Sequence, residues 1–96
     1  MPPAYLAAEI EVTDPGTYAR YRALVLDVIA AHGGRFLVLG GAVEAKEGAP
    51  PAGRVVVIEF PDMEAARRFY DSPEYRAILP LRLDASRGRV YLAEGV

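Results

Sequence analysis

Two helical stretches are interleaved with four short alternating ones in the order β-α-β-β-α-β, and that order leaves a 96-residue chain few ways to fold. Residues 4–12 alternate in their second half, as a strand with two unlike faces does. Asp14-Pro15 then opens a helix, the aspartate as N-cap and the proline where its missing N–H costs nothing. Tyr18, Tyr21, Leu24, Val25, Val28 and Ile29 recur at helical spacing, and His32-Gly33-Gly34 ends the run. Arg35 to Val43 reads as a second strand, with Gly40-Gly41 inside it as a bulge that bends the strand. After the loop Gly48 to Gly53, Arg54 to Phe60 is a short β-branched strand. Pro61-Asp62 opens a second helix with Ala65, Ala66, Phe69 and Tyr70 on its apolar face. Ser72-Pro73-Glu74 interrupts and restarts it, for a turn or two through Tyr75, Ile78 and Leu79 before Pro80. Arg87 to Glu94 alternates again as a last strand.

Right-handed crossovers place both helices of such a chain on one face of an antiparallel sheet with strand order 4-1-3-2, the ferredoxin-like α+β sandwich, here a single domain over residues 1–96. Sorting strand residues by parity gives one face of Leu6, Ala8, Ile10, Phe36, Val38, Val56, Ile58, Phe60, Val90 and Leu92, apolar throughout and suited to the helices. The opposite face collects Tyr5, Ala7, Glu9, Leu37, Leu39, Val55, Val57, Glu59, Arg89, Tyr91 and Ala93. A sheet face left in water is mostly polar, and this one is not. The chain has no third layer to cover it, so a second copy packed sheet to sheet through a two-fold contact is expected. Charges within that face need partners, and a polar patch inside an apolar intersheet space also describes a ligand cavity.

Composition excludes several classes. The chain has no cysteine and one histidine, so neither a thiolate nucleophile nor a metal site is expected, and no cofactor-binding motif is present. With a sequence pI near 5.3, nucleic acid is a poor partner, and the third strand offers Val55, Val57 and Glu59 where an RNA-recognition module would carry aromatics. No apolar run approaches the ~18 residues of a membrane span, and no signal peptide precedes the first strand, so a soluble, cytoplasmic protein is expected.

The candidate chemistry arises on the same faces. Glu9 and Glu59 lie on adjacent strands of the open face, close enough on this reading to act as a carboxylate pair and candidate catalytic acid and base, or to pair with Arg89 or Arg35 as interface glue. Arg82, near a cavity entrance, suits a carboxylate ligand by bidentate contact, or is a solvated surface arginine or forms a salt bridge to Asp84 or Glu74. Tyr5, Tyr18, Arg89 and Tyr91 complete the candidate ligand-binding set; Tyr18, Tyr21, Tyr70 and Tyr75 can each line a cavity mouth and donate an O–H to a ligand, or stand at helical spacing as core with a wet tip. His32 is explained by its place at a helix C-terminus and Ser72 by its capping role.

Asp14-Pro15 with Tyr18 and Tyr21, Gly33-Gly34-Arg35-Phe36, Gly40-Gly41-Ala42-Val43-Glu44, Val57-Ile58-Glu59-Phe60-Pro61, Ser72-Pro73-Glu74-Tyr75 and Leu81-Arg82 together resemble the DUF1330 family of small bacterial proteins, within the dimeric α+β barrel superfamily, nearly end to end. The resemblance implies a ferredoxin-like protomer and a sheet-to-sheet homodimer, but no reaction. Members it resembles often carry Arg immediately before the Gly-Gly pair, where this chain has Leu39, and Trp-Tyr where it has Phe69-Tyr70. Two functions stay open: a cofactor-independent enzyme, isomerase- or monooxygenase-like, acting on a small organic metabolite, and a non-catalytic ligand-binding or accessory homodimer.

Overall fold

In the computed structural model, which describes residues 1–96, the elements run β1 (Ala4–Val12), α1 (Pro15–Ala31), β2 (Arg35–Leu39), β3 (Arg54–Phe60), α2 (Met63–Asp71), α3 (Pro73–Ala85) and β4 (Ser86–Glu94). The sheet is antiparallel with order β2-β3-β1-β4, the expected 4-1-3-2 seen from the other edge. All three helices belong to one side of it. The result is a slab of 33 × 32 × 16 Å whose second sheet face carries no layer of its own.

The caps act where the sequence places them. Asp14 accepts the Thr17 N–H at 3.2 Å and the Thr17 hydroxyl at 2.8 Å, which lowers its pKa and fixes the first turn of α1. Asp62 accepts the Ala65 N–H at 2.8 Å and opens α2. The Ser72 hydroxyl donates to the Phe69 carbonyl at 2.8 Å and accepts the Tyr75 N–H at 3.2 Å, ending one helix and starting the next.

Three local expectations are corrected. α3 does not stop at Pro80 but runs on to Ala85, because packing of Tyr75, Leu79 and Arg82 outweighs the one helix bond that proline removes. β2 ends at Leu39 rather than Val43: Gly40 turns out of the strand with φ +68°, against the Arg54 guanidinium, where a side chain would collide. The bulge lies before that pair, between Phe36 and Val38. Phe36 faces Ile58, but Val38 faces Val57 and Leu39 faces Val56. The extra residue inverts the parity of the remainder of the strand. Val38 therefore joins Leu37 on the open face, and Leu39 turns to the helix side, opposite to the alternation-based assignment.

The core is the helix-side layer. Leu6, Ala8, Ile10, Val56, Ile58 and Phe60 from the sheet meet Val25, Ile29, Phe69 and Leu79 from the helices, all buried. No helix is long and apolar enough to cross a membrane.

Candidate functional site

The candidate residues fall into two groups on opposite faces of the sheet. On the helix side, the capped start of α1 puts Tyr18 and Tyr21 on its inner face one turn apart, with ring centroids 5.6 Å apart. The Ser72 cap brings Tyr75 into the first turn of α3, 2 % exposed and edge-on to Tyr21 at 6.3 Å. Arg82 comes two turns later on the same face of α3. The Tyr21 and Tyr75 hydroxyls are 2.9 Å apart, and Arg82 Nε donates to the Tyr75 oxygen at 3.3 Å. Arg82 is 8 % exposed, and no carboxylate lies within ion-pair distance of it, neither Asp84 nor Glu74.

These side chains border a cavity of about 50 Å³ between helices and sheet. Val25, Ile58 and Phe69 are part of its apolar wall, while the exposed Arg22, Leu26 and Leu39 form its solvent side. Leu39 therefore faces this cavity. Arg54 approaches the same rim, its guanidinium carbon 5.8 Å from the Tyr18 ring centre.

Burial pushes the Tyr21 phenol far above its usual value of 10.0, and the adjoining Tyr75 adds to the effect. Burial also raises Tyr18, against the pull of Arg54, Arg82 and Arg22. Desolvation opposes the charge on Arg82, but the Tyr75 hydroxyl, with Tyr21 and Tyr70 nearby, holds the guanidinium firmly protonated. A phenol raised in the folded state keeps its proton while the unfolded chain loses its own, so stability is lost as pH rises through 10.0. Denaturant unfolding across the alkaline range is expected to show this decline, and Tyr21→Phe is expected to flatten it. An unchanged slope in that variant would mean Tyr21 titrates freely.

On the open face, Arg35 Nε meets Glu59 Oε1 at 2.7 Å, and the Tyr5 hydroxyl donates to Glu59 Oε2 at 3.4 Å. Arg89 donates to Glu9, directly opposite it in the β1–β4 register. Each carboxylate thus has an arginine within the protomer. The expected carboxylate pair does not form. Glu9 faces Val55 whereas Glu59 faces Tyr5, so the two are offset by four residues, roughly 13 Å along the strands. Around Glu9, Arg89 and Tyr91, the loop at Ala49-Pro50-Pro51 overhangs a wide hollow of about 330 Å³. His32 Nδ1 is 2.9 Å from the Val28 carbonyl, to which it donates, and its ring meets Phe69 edge-on at 5.9 Å. No group of three or more metal-ligating side chains forms.

Sequence reasoning picked out Tyr18 and Arg82 as binding candidates and weighed Tyr21 and Tyr75 as either core or cavity-mouth tyrosines. The signal was present: tyrosines three apart on α1, and a tyrosine and an arginine seven apart on α3, each pair on one helix face.

The DUF1330 family model, described as a domain of unknown function, matches residues 3–96. No curated protein matches the chain. Among solved structures, a protein of unknown function from Rhodopseudomonas palustris superposes with a TM-score of 0.76 at 20% identity, covering 99% of this chain and 83% of that one. SnoaB, a cofactor-independent oxygenase from Streptomyces nogalater, superposes with a TM-score of 0.64 at 16% identity over 97% of this chain and 92% of its own. A conserved protein from Methanosarcina mazei gives 0.62 at 14% identity, covering 100% and 95%. At these identities the likeness is one of fold, the ferredoxin-like α+β sandwich.

Proposed function

We propose a function for this chain, which belongs to the DUF1330 family over residues 3–96, from its own geometry: a homodimer in which each protomer binds a small organic molecule in the cavity between helices and sheet. One observation carries the reading. Arg82 is 8 % exposed and has no carboxylate partner, in a wall that is otherwise almost wholly apolar. The neighbouring tyrosine hydroxyls stabilise that charge without neutralising it, and a ligand carrying an acceptor is what can pair with it. Tyr18, Tyr21, Tyr75 and Arg82 border that ligand.

The open face supports the second copy. Leu37 and Tyr91 are 47% and 52% exposed there, beside Val38, Val55 and Val57, and a face of 33 × 32 Å is large enough to supply the roughly 800 Å² per partner of a standard interface. Its charges are already matched, Glu59 with Arg35 and Glu9 with Arg89, so covering them strands no lone ion. In this reading Glu9, Glu59, Arg89, Tyr5 and Tyr91 set the register of the interface.

Binding without turnover fits best, because no carboxylate or imidazole lines the helix-side cavity to accept a proton. Cofactor-independent chemistry, isomerase- or monooxygenase-like, is favoured by one feature of the same site: a guanidinium and phenolic hydroxyls converging where they would stabilise an enolate. An isotope-labelled sample titrated with a library of small organic fragments tests the reading. Shifts concentrated at Tyr18, Leu39, Tyr75 and Arg82 are expected. Shifts confined to the hollow at Glu9 and Arg89 would move the site to the other face, and fragment turnover would select the catalytic form.

A further inference from the structure

We infer that the group seated against Arg82 is an oxyanion, a carboxylate or the ionised oxygen of an enol or phenol, on a short apolar body. This names the ligand class for the proposed cavity and rests on that reading.

The hydrogen count at the site is one-sided. A guanidinium carries five N–H donors and no acceptor. Arg82 places Nε–H on the Tyr75 oxygen, and its terminal nitrogens have no acidic partner. Tyr21 and Tyr75 bring two hydroxyl hydrogens but share one hydrogen bond. Whichever ring donates in that bond, one O–H is left over. No Asp, Glu or His borders the cavity to accept it or to balance the charge. Donors therefore converge with a positive charge in a mostly apolar wall, the terminal guanidinium nitrogens keeping access to solvent. An amine would be repelled, a neutral amide would receive the donors without offsetting the charge, and an oxyanion answers both. At roughly 10–15 Å³ for each water-sized position, 50 Å³ accepts only a short body beyond the charged head.

The approach has the same sign. Arg22 lies on the solvent side of the cavity and Arg54 over the Tyr18 ring, and neither forms an ion pair. In a chain of net charge -2, three uncompensated arginines around one tyrosine make a local field that draws anions in.

Butyrate and butyramide, matched in size and differing in charge, are the probes. Titrated at neutral pH into the labelled protein, butyrate is expected to shift Tyr21, Tyr75 and Arg82 signals in the millimolar range and at least tenfold more tightly than butyramide. Arg82→Met is expected to abolish that preference, and Arg82→Lys, which keeps the charge, to retain part of it. Butyramide binding at the same residues as tightly as butyrate would overturn the oxyanion and leave the cavity standing. If neither probe shifts these residues, the cavity reading falls and takes the oxyanion with it. The wild-type comparison decides by itself should Arg82→Met fail to fold.

Discussion

Val57→Arg is expected to convert the proposed homodimer to a monomer with little change in the protomer. Val57 stands inside the open face, opposite Ala7 on one side and Val38 on the other. Its side chain points away from the helices, so a long charged side chain in its place meets water in the protomer and the second sheet in the dimer. A two-fold contact installs the substitution twice. Each guanidinium then enters an apolar layer whose existing carboxylates are already taken by Arg35 and Arg89. An unmatched ion there costs several kcal/mol, which at about 1.4 kcal/mol per tenfold weakens association by orders of magnitude. Sedimentation equilibrium should report a halved mass, with near-ultraviolet dichroism of the Tyr21–Tyr75 cluster unchanged. A variant that keeps the wild-type dimer mass, or a wild-type protein that is already monomeric, removes the open face as the interface.

Phe69→Ala is expected to lose about 3–5 kcal/mol of folding stability, the range for a large aromatic deleted from a packed interior. Phe69 is 1% exposed, with ring centroids 4.5 Å from Tyr75, 5.3 Å from Phe60 and 5.9 Å from His32. It ties α2 to the sheet, to α3 and to the end of α1 at once, so no single element can move to fill the space. Domains of this size hold roughly 5–15 kcal/mol in all, and the variant stands near its unfolding midpoint at modest denaturant. Because Phe69 also borders the cavity, the proposed ligand binding is expected to fall with it. A loss below about 1 kcal/mol in equilibrium denaturation would show that the neighbours collapse into the gap and that this cluster does not hold the layers together.

Most of the architecture was legible in the residues because its determinants are local. Alternation over 4–12 and 54–60, the caps at Asp14, Asp62 and Ser72, and the glycines after His32 each act within a turn or a strand, and each does in the structure what its chemistry demands. The misjudged features are non-local. Pro80 signals a helix end to anyone counting backbone donors, yet α3 passes through it because packing compensates. One inserted residue between Phe36 and Val38 reverses which of Val38 and Leu39 faces the helices, and nothing in Arg35 to Leu39 marks that insertion except its pairing with β3.

The candidate site divides along the same line. That arginines and carboxylates share the open face comes from parity, since side chains alternate with period two on any strand. Which of them meet depends on register, and register separates Glu9 from Glu59 while joining each to its own arginine. Tyr21 and Tyr75 are 54 positions apart, and no local periodicity brings them within hydrogen-bond distance. The sequence by itself determined the order of elements, the capped starts of the helices and the apolar character of both sheet faces, because these rest on short-range sterics and hydrogen bonding. Only the tertiary structure decided that an arginine late in α3 is buried without a counter-ion beside two tyrosines, because that depends on how α1, α3 and the sheet pack together.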